Sequence, residues 1–444
     1  MNANVLTFPK GGIHPPGYKS LTAEMAIEPM PTPTSLELIL GQHIGVPCSP
    51  VVAKKDKVAE GALVGEVTKG MGVPLHAPVA GTVSNLTESA HPIQVSSPSV
   101  ILRVNKKEEP KSYQSSDWSG LSPDELREKI HLAGIVGIGG AGFPAHVKLT
   151  PPPGSKIDTL VLNGAECEPY LTADHRQMIE HPDQVIEGAR IILSILGITE
   201  CLVGIENNKP DAIAAMSSEA EKQTSAEARI EIKTLEVKYP QGAEKQLIQS
   251  VTGRRVASQG LPADHGVIVQ NVSTARAIFE AVALDKPYYE KVVTISGKGI
   301  ARPANLLVKV GTLVKDIVAH LGGTTEELAK VVLGGPMMGF AVSTLDIPIT
   351  KTTSSILFLT RDEIDTDLFS NCIRCGRCVE ACPMGLQPNE IGVYVEASQG
   401  ENTTKFGTME CFECGCCAYV CPSKRPLVQF IRMAKSQLKR RAAG

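Results

Sequence analysis

Eight of the twelve cysteines in this 444-residue chain fall into two copies of one spacing near the C-terminus. Both copies read C-x2-C-x2-C-x3-C-P. In such a run, three thiolates hold one [4Fe–4S] cluster and the fourth ligates the other cluster. The spacing therefore predicts one-electron transfer by two clusters, the first on Cys372, Cys375, Cys378 and Cys421, and the second on Cys411, Cys414, Cys417 and Cys382.

Other uses of these cysteines fit the sequence less well. Zinc also takes four thiolates, but zinc sites seldom use this run. A disulfide framework is typical of small secreted domains, whereas this chain is long and residues 1–16 do not resemble a secretory signal. Cys416, beside Cys417, lies outside the pattern and is interpreted as a packing residue. Thiolate clusters need reducing surroundings, so we expect the protein in the cytosol or facing it.

The second motif is a glycine-rich loop, Gly137-Ile138-Gly139-Gly140-Ala141-Gly142-Phe143-Pro144. Its glycines let the backbone approach a flat or anionic ligand, and consecutive N–H groups in such a loop can bind an anion. Lys148 follows closely and could pair with a phosphate. The alternative is a tight turn between a strand and a helix without a ligand.

An acid-rich turn, Asn163-Gly164-Ala165-Glu166-Cys167-Glu168-Pro169-Tyr170, follows the predicted strand Thr159–Leu162. Ligands bind at the carboxyl ends of strands in doubly wound sheets. Asn163 offers a donor and an acceptor, which suit the pyrimidine edge of a flavin. Glu166 and Glu168 suit ribose hydroxyls or a carboxamide. Cys167 lies between two acids, which favour its thiol form, and we interpret it as structural.

The pattern along the chain predicts a multidomain α/β protein. Short period-two runs rich in Gly and Pro predict a small all-β unit, in which Lys57–Glu66 forms a strand, a turn at Gly61 and a strand. Residues 77–83 resemble the second half of a biotinyl/lipoyl-type domain, which implies a barrel-sandwich fold. Lys69 lacks the context of a lipoyl or biotinyl lysine, so we interpret this unit as structural.

Strands at Thr159–Leu162, Cys201–Ile205 and Val267–Gln270 alternate with helices near 183–196, 208–222 and 243–252 in a Rossmann-like unit that opens at the helix cap Ser122. The predicted units are an arm (1–28), the barrel-sandwich domain (29–107), a flavin-binding α/β domain (122–285), a β-grasp, SLBB-like domain (286–350) and a helical two-cluster domain (360–444).

Composition bounds the function further. The net charge of −3 argues against a nucleic-acid partner. The sequence contains no run of 18 or more apolar residues, which is the length that could cross a bilayer. The C-terminal stretch carries five cations and no acid, which suits either an anionic membrane surface or a solvated tail. They are Arg432, Lys435, Lys439, Arg440 and Arg441.

The order of these motifs resembles the flavin site of the NADH-oxidising subunit of respiratory complex I. The resemblance covers roughly residues 125–345 and implies no catalytic side chain. It implies FMN contacts at Gly137, Gly139, Gly140, Lys148, Asn163, Tyr239, Gly242, Asn271 and Thr274, and NADH contacts at Glu166, Glu168 and Glu244. The chain departs from that pattern where Ile138 replaces an arginine, where Ala165 replaces an acid, and in having two cluster runs instead of one.

The whole chain, from its Gly-Gly-Ile-His-Pro-Pro arm to the two cysteine runs, resembles the family of C subunits of Rnf-type ion-translocating ferredoxin:NAD+ oxidoreductases. The resemblance implies a peripheral subunit on the cytoplasmic face of the membrane that passes electrons between NADH, FMN and two [4Fe–4S] clusters. Its implied partners are integral-membrane and ferredoxin-like subunits, and the complex would move Na+ or H+. Two alternatives are a soluble flavin/iron–sulfur diaphorase subunit of a hydrogenase or formate dehydrogenase, and a non-catalytic electron relay.

Overall fold

The chain folds as an arm followed by four units, and the computed structural model describes residues 5–225 and 227–443. This is the predicted multidomain α/β architecture. Residues 1–4 of the predicted arm and the last residue of the predicted cluster domain lie outside the described residues. Among the helices that the structure describes, none is long and apolar enough to cross a membrane.

The first unit is the predicted barrel sandwich, made of two small antiparallel sheets with orders β2-β8-β7-β4 and β3-β5-β6. Leu36, Val64 and Leu102 are among the apolar side chains between them. The predicted strand–turn–strand around Gly61 is not a hairpin, because β4 and β5 belong to different sheets. The strands of this unit are β2 (Ser35–Ile39), β3 (Ser49–Pro50), β4 (Lys57–Val58), β5 (Leu63–Glu66), β6 (Leu75–His76), β7 (Gly81–Ala90) and β8 (Ser96–Val104), and β1 (Ile27–Pro29) precedes them in the chain but pairs in the third unit.

The second unit contains a parallel sheet of order β11-β10-β9-β12 with helices on both faces. Leu160 and Leu162 of the central strand face one helical layer, and Val161 faces the other. The predicted strands and helices are all present, and Ser122 caps α1 in a capping box with Glu125. The elements are α1 (Pro123–Leu132), α2 (Ala145–Lys148), β9 (Thr159–Gly164), α3 (Ala173–Glu180), α4 (Pro182–Leu196), β10 (Glu200–Glu206), α5 (Pro210–Gln223), β11 (Arg229–Leu235), α6 (Glu244–Thr252), β12 (Val267–Asn271) and α7 (Val272–Ala283).

The third unit is a six-stranded sheet of order β1-β14-β13-β17-β15-β16. The sheet runs past residue 350, where we expected the unit to end, because β17 lies between β13 and β15. Strand β1 from the N-terminal segment extends the opposite edge. The elements are β13 (Glu290–Ser296), β14 (Ala304–Lys309), α8 (Val314–His320), β15 (Leu328–Leu333), β16 (Phe340–Val342) and β17 (Ser355–Thr360).

The C-terminal unit is helical and repeats one backbone pattern. Arg374 and Glu413, at equivalent places of the two cysteine runs, have φ of 53° and 64°, and the glycines Gly376 and Gly415 have φ of 79° and 84°. Each run continues into a short helix and then a longer one. These are α9 (Arg377–Glu380), α10 (Pro388–Glu396), α11 (Cys416–Tyr419) and α12 (Leu427–Ala443).

Candidate cluster and flavin sites

The first predicted set of cysteines lines a single cavity. Cys372, Cys375 and Cys378 line one pocket together with Cys421, which comes from the other run. The backbone N–H of Arg374 points to the Cys372 sulfur at 3.4 Å. Four sulfurs around a cavity, with an amide directed at one of them, fit a thiolate-bound cluster.

The second set also comes together. Burial raises the pKa of the Cys411 thiol to about 11, with a smaller contribution from the nearby Cys414 and Cys382 thiols. Backbone N–H groups approach the Cys411 sulfur at 3.3 Å and the Cys382 sulfur at 3.4 Å. Within the described residues, no three His, Cys, Asp or Glu side chains are close enough to share one metal ion. A cluster does not require such convergence, because each of its ligands binds a different iron.

The two sets differ in exposure. Cys375 of the first set is exposed, whereas Cys382, Cys414 and Cys417 of the second set are buried. The Tyr239 hydroxyl, from the α/β unit, donates to the Cys414 carbonyl at 2.8 Å. The second set therefore lies against the α/β unit, and the first set lies nearer the protein surface.

The predicted flavin residues meet at the carboxyl ends of two neighbouring strands. Asn163 of β9 and Asn271 of β12 are paired in register. The Asn163 amide donates to the Gly242 carbonyl at 2.8 Å, and the Asn271 amide donates to Asp174 at 2.7 Å. The Asn271 carbonyl oxygen accepts the Ser273 N–H at 2.7 Å and so caps α7. These contacts fix both amides at the edge where a doubly wound sheet binds ligands.

The glycine-rich loop lies beside this edge, between α1 and α2 instead of directly after a strand of the sheet. The Gly137 N–H closes the loop on the Phe143 carbonyl at 2.8 Å, and the Ile138 N–H donates to the Thr274 hydroxyl at 2.9 Å. A Cβ added at Gly139 would lie 3.4 Å from the Asn271 amide nitrogen, and one at Gly140 would meet no atom within 4 Å. The loop is thus anchored on one side and open on the other, which fits a ligand that touches its backbone.

Two predicted ligand residues pair with each other. The Lys148 ammonium lies 2.7 Å from a Glu244 carboxylate oxygen, and both side chains are partly exposed. The expected partner of Lys148 is the FMN phosphate, and that of Glu244 is NADH. The pair puts a cation and an acid together at the open side of the site, where exchange with a ligand costs little because exposed ion pairs contribute only about 0–1 kcal/mol.

The two acids of the turn are occupied by backbone N–H groups. Glu166 accepts from Asp174 at 2.7 Å and from His175 at 3.2 Å, at the start of α3. Glu168 accepts from Met337 at 3.1 Å and from Met338 at 2.9 Å, in the loop before β16. Burial raises the pKa of each carboxyl to about 7. Both acids stabilise protein segments, and their contact with NADH stays a prediction.

Tyr239 and Thr274 also serve protein contacts. Tyr239 is 2% exposed and reaches Cys414, and Thr274 is fully buried beneath Ile138. Their side chains link the flavin-site segments to the cluster unit and to the glycine loop, respectively. Direct FMN contact by either side chain stays a prediction.

Three residues of the site carried no signal that we recognised in the sequence. The Lys19 ammonium, from the arm, donates to the carbonyls of Glu166, Glu168 and Leu171 at 2.8, 3.0 and 2.6 Å. The buried Lys209 ammonium donates to the Ala165 carbonyl at 2.7 Å. Asp174 holds Asn271. Only Asp174, an acid in the first turn of a helix near the acid-rich turn, could have been proposed from position alone.

Four family models match consecutive parts of the chain. They are described as the RnfC Barrel sandwich hybrid domain (residues 6–107), the Nuo51 FMN-binding domain (residues 130–280), the SLBB domain (residues 292–341) and the 4Fe-4S dicluster domain (residues 371–424). The last match decides between iron–sulfur clusters and zinc in favour of clusters.

Relatives match almost the whole chain. It is 45% identical over 443 residues to the C subunit of the "Proton-translocating ferredoxin:NAD(+) oxidoreductase complex" of Clostridium ljungdahlii, covering 98% of this chain and 94% of that protein. It is 41% identical to the C subunit of the "Na(+)-translocating" complex of Acetobacterium woodii, covering 99% and 98%. It is 40% identical to the C subunit of the "Ion-translocating oxidoreductase complex" of Rhodobacter capsulatus, covering 97% and 83%.

A solved structure shares the fold at lower identity. A chain of the NAD+-reducing [NiFe]-hydrogenase in its H2-reduced state superposes with a TM-score of 0.51 and 18% identity. The match covers 73% of this chain and 61% of the hydrogenase chain. It shows a shared fold only.

Proposed function

The chain belongs to the RnfC family, the C subunits of ion-translocating ferredoxin:NAD+ oxidoreductase complexes, and we propose that it exchanges electrons with NADH and passes them to other subunits. Its proposed resident cofactors are one FMN at the glycine loop and two [4Fe–4S] clusters on the two cysteine sets. The observation that carries the proposal is the hydrogen bond from Tyr239 to Cys414, because it joins the flavin unit to one cysteine set.

FMN, when bound, supplies the conversion between the two-electron chemistry of NADH and the one-electron chemistry of a cluster. The exposed backbone of Gly139 and Gly140 would receive it, with Lys148 able to pair with a phosphate. Asn163 and Asn271 would present amide groups whose orientation is already fixed by Gly242 and Asp174. Lys19 and Lys209 hold the acid-rich turn by its carbonyls and so keep the strand end in shape.

The second cysteine set would carry the cluster nearer the flavin, since Tyr239 contacts Cys414. The first set, with exposed Cys375, would carry the cluster nearer the partner. We further propose that the chain sits on the cytoplasmic face of the membrane beside integral-membrane and ferredoxin-like subunits. Of the C-terminal cations, Arg432 and Lys435 pair with Glu413, so they contribute less to a membrane contact than the sequence alone indicated. Relatives are named for H+ and for Na+.

Anaerobic reconstitution of the full chain tests this proposal. We expect about eight iron and eight sulfide per chain from two cubes, with one non-covalent FMN. NADH should bleach both the flavin and the cluster absorbance. If dithionite reduces the cofactors and NADH does not at any concentration, the chain is an electron relay without a nucleotide site.

A further inference from the structure

The two cysteine runs repeat one fold but differ at the residues between the cysteines. The first run carries Ile373, Arg374 and Arg377 where the second carries Phe412, Glu413 and Cys416. Because the backbone conformations are equivalent, the surroundings of the second run show how such a loop is covered when it faces protein.

The loop of the second run is covered on each side. A Cβ at Gly415 would lie 2.9 Å from the Met337 carbonyl oxygen of the third unit. Glu413 pairs with two cations of α12, Arg432 and Lys435, each at 2.7 Å. Cys416 is fully buried, with its sulfur 3.8 Å from the Tyr239 carbonyl oxygen.

The loop of the first run is open at the same positions. A Cβ at Gly376 would meet no atom within 4 Å. Ile373 is 67% exposed, and Leu368, which lies shortly before the run, is 93% exposed. Arg374 and Arg377 are exposed, and the ion pairs formed by the described residues of this unit leave both arginines out.

We propose that residues 372–377, called here the outer loop, dock a redox protein whose own centre is ringed by carboxylates. The exposed Ile373 is followed by Arg374 and Arg377, which form no ion pair with the residues that the structure describes. Such a combination is typical of an interface, where arginine is enriched and pairs with carboxylates in a bidentate manner. Glu413 shows the same chemistry inside the chain, since its acid at the equivalent place is held by two cations. The proposal rests on the proposed function in assigning a cluster to Cys372, Cys375, Cys378 and Cys421.

The transfer itself is a single electron step. A reduced cluster held by the first set would give up one electron, and the oxidised centre of the partner would take up that electron. No proton or covalent bond is exchanged. The loop therefore needs only to bring the two centres close together, which explains why it would offer binding groups and no acid or base.

The test uses the reconstituted full chain and two haem proteins of opposite surface charge, acidic cytochrome b5 and basic cytochrome c. The chain is reduced with dithionite and desalted, so that the measurement does not depend on NADH. The variant R374E/R377E is compared with wild type, with R374K/R377K, and with K54E/K106E. The last variant makes the same charge change at exposed lysines of the barrel-sandwich domain. Iron content is measured for each protein.

Two readouts are taken at low and high ionic strength, since the Debye length falls from about 30 Å at 0.01 M to about 8 Å at 0.15 M. They are the stopped-flow rate of haem reduction and the affinity of the oxidised chain for the oxidised haem protein. We expect R374E/R377E to slow reduction of cytochrome b5 by on the order of tenfold at low salt and to weaken its binding. Reduction of cytochrome c should become faster. K54E/K106E should stay within about twofold of wild type. R374K/R377K, which keeps both charges and loses the bidentate pairing, should lie between wild type and R374E/R377E.

Unchanged rates and affinities in R374E/R377E would overturn the proposal, as would an equal loss in K54E/K106E. Loss of iron from R374E/R377E would leave the binding measurement to decide, since binding of the oxidised haem protein does not require electron transfer. If NADH fails to reduce wild type while the charge dependence is as expected, the nucleotide part of the proposed function fails and the docking surface stands.

Discussion

Replacing Glu168 with glutamine should destabilise the protein in a way that depends on pH. Both carboxyl oxygens accept backbone N–H groups, one from Met337 and one from Met338. A glutamine side chain offers one oxygen and one NH2, so one backbone N–H loses its acceptor. A donor left unsatisfied within the protein costs about 1–3 kcal/mol. The loss should appear in acid, where the wild-type side chain is also neutral, because the hydroxyl oxygen of a protonated carboxyl can still accept a hydrogen bond and an amide NH2 cannot.

Ionisation of the buried Glu168 carboxyl lowers the free energy of unfolding of the wild-type protein at higher pH. Burial raises the pKa of Glu168 from 4.5 to about 7, so the folded state binds its proton more tightly than the unfolded state does. Stability from this group is therefore lost as pH rises from 4.5 to 7, by about 3 kcal/mol at about 1.36 kcal/mol per pH unit. A glutamine at this position cannot ionise and does not share this loss. The deficit of the variant should be largest near pH 5 and small or absent near pH 8.

The assay is thermal unfolding of the reconstituted chain at both pH values. Because the chain has several domains, the melting temperature is compared directly without assuming two-state unfolding. We expect a deficit of a few degrees in the acidic buffer that shrinks in the alkaline one. Glu326→Gln, an exposed acid in the third unit, is the control for a changed net charge. An equal deficit at both pH values would refute the reasoning, because ionisation of Glu168 would then play no part.

The same variant tests the predicted nucleotide contact. If Glu168 binds NADH, its loss should lower kcat/KM for NADH by about 1.5–3 kcal/mol while dithionite reduction is unchanged. If the carboxylate only anchors the Met337–Met338 loop, kcat/KM in the alkaline buffer should match wild type.

Three further predictions concern the flavin, the cluster ligands and the packing of the second cysteine run. Gly140→Val should abolish FMN binding in a folded protein, because the side chain would fill the open face of the loop, whereas Gly120→Val, also without neighbours within 4 Å, should keep FMN; flavin content of the refolded proteins checks both. Cys421→Ala should remove the EPR signal of the cluster held by Cys372, Cys375 and Cys378 and leave the signal of the second cluster. Loss of only the cluster held by the second run, to which Cys421 belongs, would contradict the predicted exchange of ligands. Gly415→Ala and Gly376→Ala share a backbone penalty of about 1 kcal/mol at positive φ, but only the first meets a carbonyl at 2.9 Å; thermal unfolding should show a larger loss for Gly415→Ala, and equal losses would argue against the contact with Met337.

Local spacing made the cysteine sets predictable. Each run places three sulfurs within one turn and a short helix. The fourth ligand of each set was predicted from the other run by the known behaviour of this spacing, and Cys421 lines one pocket with the three cysteines of the first run. The strand ends at Asn163 and Asn271 were predictable for a related reason, since buried parallel strands appear as short apolar runs and their carboxyl ends meet at one edge.

Contacts between distant segments were not predictable in the same way. Strand β17, Ser355–Thr360, is buried on both faces and shows no alternation that would join it to the strands near 290. Lys19 meets its three carbonyls across about 150 residues of sequence. Glu166 and Glu168 were predicted as nucleotide contacts because acids at a strand end suit a ribose. Their partners are backbone N–H groups of α3 and of the loop at Met337, which attract acids equally well.

The same two runs also decide which cluster faces inward. Both loops have the same backbone conformation, so the ligand spacing alone does not tell which of the two clusters would lie nearer the flavin site. The residues between the cysteines distinguish the two runs. Glu413 binds two cations of the same unit, and Cys416 lies beneath Tyr239. The first run has an arginine at each of these two positions. An arginine beneath Tyr239 would put a long charged side chain where the small neutral Cys416 is fully buried, which is costly. The first run is therefore the one that has to face solvent or a partner. If the two runs exchange Cys421 and Cys382 as proposed, electrons that reach the second set would pass outward to the first set.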